Sequence, residues 1–127
     1  MARASRTKLS ACGLSRTVFA VRFWANGTSD PATIYGEGID SVTFASTGKW
    51  LVTFTEAVRK VVGASVGIGL ATPNVAHEES VIFDNEGTTS PLTATISYGV
   101  AGTLTNIAAD ADNWVSLIVQ AEQSSAR

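Results

Sequence analysis

The stretch TVFAVRFWA (17–25) alternates along its length. Phe19, Val21, Phe23 and Ala25 fall on one face, and Val18, Ala20, Arg22 and Trp24 on the other. A period of two predicts a strand. The same pattern returns in IDSVTFASTGKWLVTFTE (39–56), where two alternating runs flank Ser46-Thr47-Gly48. A glycine in so short a connection suits the positive φ of a hairpin turn. Trp50, Val52 and Phe54 share one face of the second run, with Leu51, Thr53 and Thr55 on its wetter side. LTATISYGV (92–100) places Leu92, Ala94, Ile96 and Tyr98 inward, and NWVSLIVQAE (113–122) places Val115, Leu117, Val119 and Ala121 together.

Weaker patterns fill the gaps. VVGASVGIGLA (61–71) predicts a strand with Val66, Ile68 and Leu70 on one face and Ser65, Gly67 and Gly69 on the other. VIFD (81–84) predicts a short strand, IYGEG (34–38) a short strand or an ordered loop, and TEAVRK (55–60) one helical turn. NGTSDP (26–31) and NEGTTSP (85–91) are turn-rich, TPNVAHEES (72–80) is a polar connection, and GTLTNIAADAD (102–112) fits no single period.

Seven or eight short strands without a long helix predict an all-β fold, an antiparallel β-sandwich of jelly-roll type. A short extended N-terminal arm would occupy residues 1–16, the sandwich 17–124 and a tail 125–127. The first and last strands are apolar on both faces, whereas a sandwich strand needs only one face toward its core. A second apolar face calls for a second partner. Trp24, Trp114 and Ile118 are therefore candidate subunit-interface residues. Gly67 and Gly69 form a small face that would let a neighbouring subunit approach, since glycine in a strand often marks a close backbone approach. The expected assembly is a homo-oligomer.

Composition supports the strands. The 127 residues include 13 Val, 7 Ile and 15 Thr, with 45% hydrophobic and 16% charged positions. These β-branched types suit a pleated surface. One Cys permits no intrachain disulfide, which favours a reducing compartment.

Charge divides the chain. Residues 1–16 carry Arg3, Arg6, Lys8 and Arg16 and no acid, while residues 17–127 hold five bases against eleven acids, a net −6. Such a basic arm suits a negative partner surface. The acidic body would repel phosphate, so no nucleic acid is expected as a partner. Leu9-Ser10-Ala11-Cys12 matches a lipobox. An export signal, however, needs about 7–15 apolar residues before its cleavage site, and MARASRTK supplies none. No membrane anchor is expected, and the protein should stay in the cytoplasm or leave it within an assembly.

Chemistry is sparse. His77 is the only histidine and lies in the polar connection with no nucleophile motif beside it, so it is expected to be a surface loop residue. GASVGIGLAT (63–72) lacks the Gly-Lys-Ser/Thr ending of a phosphate loop and the third glycine of a dinucleotide fingerprint. DNEG (84–87) and DADN (110–113) do not complete a calcium loop. No catalytic residue, cofactor or metal is therefore assigned, and the chain is not expected to be an enzyme. Trp50, just past a hairpin turn, is the candidate glycan contact if the chain is instead a receptor-binding or glycan-binding module of a virion spike or tail.

The order of a basic arm, TVFAVRFWANGTSDPATIYGEGIDSV, GKWLVTFTEAVRKVVGASVGIGLA and NWVSLIVQAEQSS resembles small virion proteins of tailed bacteriophages. Decoration (cement) proteins on the outer surface of the capsid are the particular likeness. The chain is also similar to the compact jelly-roll heads of complement-head and tumour-necrosis-factor-like trimers, in which the first and last strands are neighbours. The resemblance implies a homotrimer at local three-fold positions of a phage head, bridging and stabilising major capsid protein subunits. Arg3, Arg6, Lys8 and Arg16 would make the arm's contact with the capsid. The protein would be made in the host cytoplasm and reside on the virion surface.

Overall fold

The computed structural model describes residues 16–122. They form nine strands in chain order: β1 (Arg16–Trp24), β2 (Ile34–Glu37), β3 (Ile39–Ser46), β4 (Lys49–Phe54), β5 (Lys60–Gly69), β6 (His77–Asp84), β7 (Thr93–Val100), β8 (Thr103–Leu104) and β9 (Trp114–Glu122). The first sheet has the order β2-β1-β9-β5, and the second β3-β4-β7-β6 with β8 paired to the end of β7. All pairings are antiparallel. The chain changes sheet between β2 and β3, β4 and β5, β5 and β6, and β8 and β9. This wrapping makes the sandwich jelly-roll-like. As expected, the first and last strands are neighbours, in continuous register from Arg16↔Glu122 to Trp24↔Trp114.

Alternation built these strands because each has one face toward the core. Phe19, Val21 and Phe23 of β1 and Val115, Leu117, Val119 and Ala121 of β9 are buried from the first sheet. Val42, Trp50, Val52, Phe54, Ala94, Ile96 and Tyr98 meet them from the second. Two aromatic pairs join the sheets, Phe19 with Phe54 at 5.2 Å and Phe23 with Trp50 at 5.7 Å between ring centroids. The β3–β4 turn closes through Gly48 at φ +70°. A side chain at Gly48 would also collide with the backbone of Tyr98 and Thr105, so glycine is required there on two counts.

Three expectations are corrected. Residues 55–60 form no helical turn; they cross between the sheets, with Val58 wholly buried. Backbone bonds hold this crossing, from Arg59 N to Glu122 O at 2.8 Å and from Gly87 N to Val58 O at 2.9 Å. The strand expected at 81–84 starts four residues earlier, so His77 opens β6 instead of sitting in a loop. Ladder pairing with β7 from His77↔Val100 onward organises this polar run, which has no apolar alternation of its own. Finally, Arg16 is the first residue of β1 and not part of an arm.

Candidate functional site

The outer face of the first sheet carries the site. Even-numbered residues of β1 and β9 point away from the core, and the register sets them in rows across the strands. One row joins Trp24, Trp114 and Gly69; the next joins Tyr35, Arg22, Ser116 and Gly67; a third joins Ala20, Ile118 and Ser65.

The rows at the Trp24 end form an aromatic block. The indole of Trp114 leans across to β5 and occupies the space above Gly69, and a methyl group there would overlap its Cε2 and Nε1 atoms. The guanidinium of Arg22 stacks on the same indole, 3.9 Å from its centroid, and lies 5.4 Å from the ring of Trp24. Trp24 donates its Nε1–H to Ala111 O at 2.9 Å and meets Tyr35 edge-on at 5.6 Å. This arrangement corrects the role expected of Gly67 and Gly69. The gap above Gly69 admits Trp114 of the same chain, and Gly67 lies close beneath Ser116 and the rim of that indole. Trp24 and Trp114 are thus half-covered within one chain.

Further along the same face the surface is open. Val18 is 48% exposed and Ile118 46%, with exposed Ala20 between them. Ala20 and Ile118 are register partners. Beside Ile118, the exposed β5 residues Gly63, Ala64 and Ser65 border a shallow groove of about 250 Å³. This patch keeps Ile118 as a candidate contact and adds Val18, which lies on the doubly apolar strand TVFAVRFWA. The outer face of the second sheet is different. Its rows Ser41–Thr53–Thr93–Asp84 and Ser46–Lys49–Ser97–Ser80 are polar, and only Leu51 and Ile82 break the hydroxyl surface between them.

The remaining expected residues divide. Arg3, Arg6 and Lys8 lie outside the described residues. Arg16 is engaged within the fold, 3.4 Å from Glu122 Oε2, while Arg59 pairs with Glu122 Oε1. Glu122 is itself buried, and an unpaired carboxylate there would be costly. The expectation that Arg16 projects toward a partner is corrected on that ground. Trp50 is wholly buried against Phe23, so it presents no ring to a glycan. Its position opposite Ile96 places it on the core side of β4 with Val52 and Phe54.

His77 reaches Glu79 through Nε2 at 3.1 Å and the Asn74 carbonyl through Nδ1 at 2.7 Å, and its ring stacks near Tyr98. Burial first, and the Glu79 carboxylate second, push the Tyr98 phenol above its usual range. The acidic turns act on their own backbone: Asp84 Oδ1 accepts from Asn85 N and Asp110 Oδ1 from Asp112 N, both at 2.8 Å. Among the described residues, no group of three His, Cys, Asp or Glu side chains is placed to hold a metal ion. No helix among them is long and apolar enough to cross a membrane.

A cleft of about 430 Å³ opens where the sheet ends, between the 25–33 and 109–111 segments. Trp24 and Tyr35 form its aromatic side, and Asn26, Thr33 and Asp110 are its polar lining. Tyr35 was missed at the sequence level because IYGEG has too few positions to define a face. No family model, no curated protein and no solved structure matches this chain.

Proposed function

We propose that the protein is a structural component of a tailed-phage virion, a decoration (cement) protein on the outer capsid surface. It associates as a homotrimer and bridges major capsid protein subunits. The observation that carries this reading is the asymmetry of the two sandwich faces. One is hydroxyl-rich, and the other holds the contiguous exposed patch Val18–Ala20–Ile118. Burying such a patch is worth about 25 cal/mol per Å², and exposed contiguous apolar surface commonly marks a protein contact. The basic segment Arg3, Arg6 and Lys8, set against an acidic body, gives a second contact of opposite charge for the capsid.

The test is solution mass by light scattering, followed by co-sedimentation with phage heads built from the cognate major capsid protein. A mass near three chains is expected. Ile118→Glu should yield single chains with unchanged thermal melting. Removing residues 1–15 should leave the melt intact and abolish co-sedimentation. Wild type that is monomeric at tens of micromolar and fails to sediment with heads overturns the proposal.

A further inference from the structure

We infer that the cleft beside Trp24 and Tyr35 is a binding site for neutral carbohydrate, taking a pyranose ring against the aromatic pair. The inference does not depend on the assembly proposed above, because Val18, Ala20 and Ile118 are not among the cleft residues.

Three features support it. The first is size: about 430 Å³ falls in the usual ligand-pocket range of about 300–1,000 Å³. Alanines at 25, 32, 109 and 111 keep the walls short. The second is the aromatic pair. Tyr35 is 65% exposed on a strand whose four residues are all exposed. Its ring is set at 83° to that of Trp24, whose indole is fixed by the bond to Ala111 O. An aromatic face held rigidly at low entropic cost suits the axial C–H face of a pyranose, which is apolar and flat.

The third feature is the character of the polar rim. Asn26 uses Nδ2 to donate to Asp30 O at 3.1 Å, which leaves its Oδ1 as an acceptor. Asp110 uses Oδ1 to accept from Asp112 N, which leaves Oδ2. Both groups therefore offer acceptors, and sugar hydroxyls donate. An anionic ligand would face the Asp110 carboxylate, while Arg22, which stacks on Trp114 at 3.9 Å and lies 5.4 Å from the Trp24 ring, is not among the cleft residues. Neutral sugars satisfy this rim and acidic ones do not.

Saturation-transfer NMR on the full-length protein with maltotetraose, cellotetraose, a β-galactoside tetrasaccharide and sialyllactose tests it, backed by a neutral-glycan array. At least one neutral saccharide should bind, with the strongest transfer to ring C–H protons. Tyr35→Ala should weaken it tenfold or more with melting unchanged, and Tyr35→Phe should keep affinity within about threefold. Asp110→Asn keeps the Oδ1 acceptor for Asp112 N, removes the charge and turns Oδ2 into an amide donor; it should admit sialyllactose better than wild type does. The inference is overturned if no neutral glycan binds at millimolar concentration, if binding survives Tyr35→Ala, or if sialyllactose is the preferred ligand of the wild type. Monomeric protein that still binds sugar would sink the trimer and leave the cleft standing.

Discussion

Trp114 lies over Gly69, its register partner on β5, and its indole occupies the space that any side chain at 69 would need. The pair explains why β5 ends on a glycine, at a place where another group comes close. Gly69→Ala must expel the ring or shift the strand, so a loss of about 1–3 kcal/mol is expected, as for other overpacked sites. Trp114 emission should move to longer wavelength as the ring swings into water. Urea denaturation and fluorescence read both effects. Unchanged stability with unchanged emission would show that the indole does not rest there.

Arg22 completes that stack, and its contribution can be separated. An exposed cation on an indole face is worth about 0.5–1 kcal/mol. Arg22→Met keeps much of the aliphatic stem and removes the guanidinium, so it should cost about that amount. In a Trp114→Leu background the same change should cost less, because only the more distant contact with Trp24 remains. Equal costs in the two backgrounds would place the role of Arg22 elsewhere.

Glu122 ties the start of β1 and the approach to β5 to the end of β9 through Arg16 and Arg59. Glu122→Gln keeps the volume but leaves two guanidinium groups without their anion, with an expected loss of about 1–3 kcal/mol. Arg16 is the more distant partner, at 3.4 Å, so removing residues 1–16 should cost at most about 1 kcal/mol more than removing residues 1–15. Denaturant midpoints of the three forms decide the matter. A Glu122→Gln protein as stable as wild type would mean that the carboxylate is not held as drawn.

How much of this was legible in the sequence depends on the kind of signal. The faces of TVFAVRFWA, KWLVTF, LTATISYGV and NWVSLIVQAE were plain because each strand presents one side to the core, and burial follows their parity. Trp50 shares parity with Val52 and Phe54, and that parity outweighed its closeness to the turn. The start of β6 was hidden because His77, Glu78, Glu79 and Ser80 are polar on both sides and are held by β7, not by burial. The meeting of Gly69 with Trp114 was beyond reach, since it depends on the cross-strand register of segments 45 positions apart. For the same reason the cleft, assembled from two loops and the short strand β2, left only Tyr35 and Trp24 as traces in the chain.

Tyr98 gives the fold a dependence on alkaline pH. Burial raises its phenol above the ordinary value near 10, so the folded state holds the proton after the unfolded chain has released it. Its contribution to stability is complete below about pH 10 and is lost as pH rises through the folded-state value. Ultraviolet titration can follow this directly, because the chain has two tyrosines. With Tyr35→Phe, the remaining phenolate signal should appear above pH 10. Tyr98→Phe should flatten the fall of stability between pH 10 and the alkaline limit. A Tyr35→Phe protein whose remaining phenol titrates at or below 10 would contradict the burial of Tyr98.

Trp50 is wholly buried, yet its Nε1 has no hydrogen-bond partner. A buried donor left without a partner costs about 1–3 kcal/mol. Trp50→Phe removes that donor while opening a small cavity against Phe23 and Ile96, and the two effects oppose each other. Its net change should stay within about 1 kcal/mol of wild type. Trp50→Ala keeps no ring and should lose about 3–5 kcal/mol. Paired melts of the two variants separate the orphan donor from the packing: a Trp50→Phe protein as damaged as Trp50→Ala would mean that the indole N–H finds a partner after all. The pair also bears on sugar binding. A core tryptophan can affect a surface cleft only through the fold, so Trp50→Phe should keep the affinity that Tyr35→Ala removes.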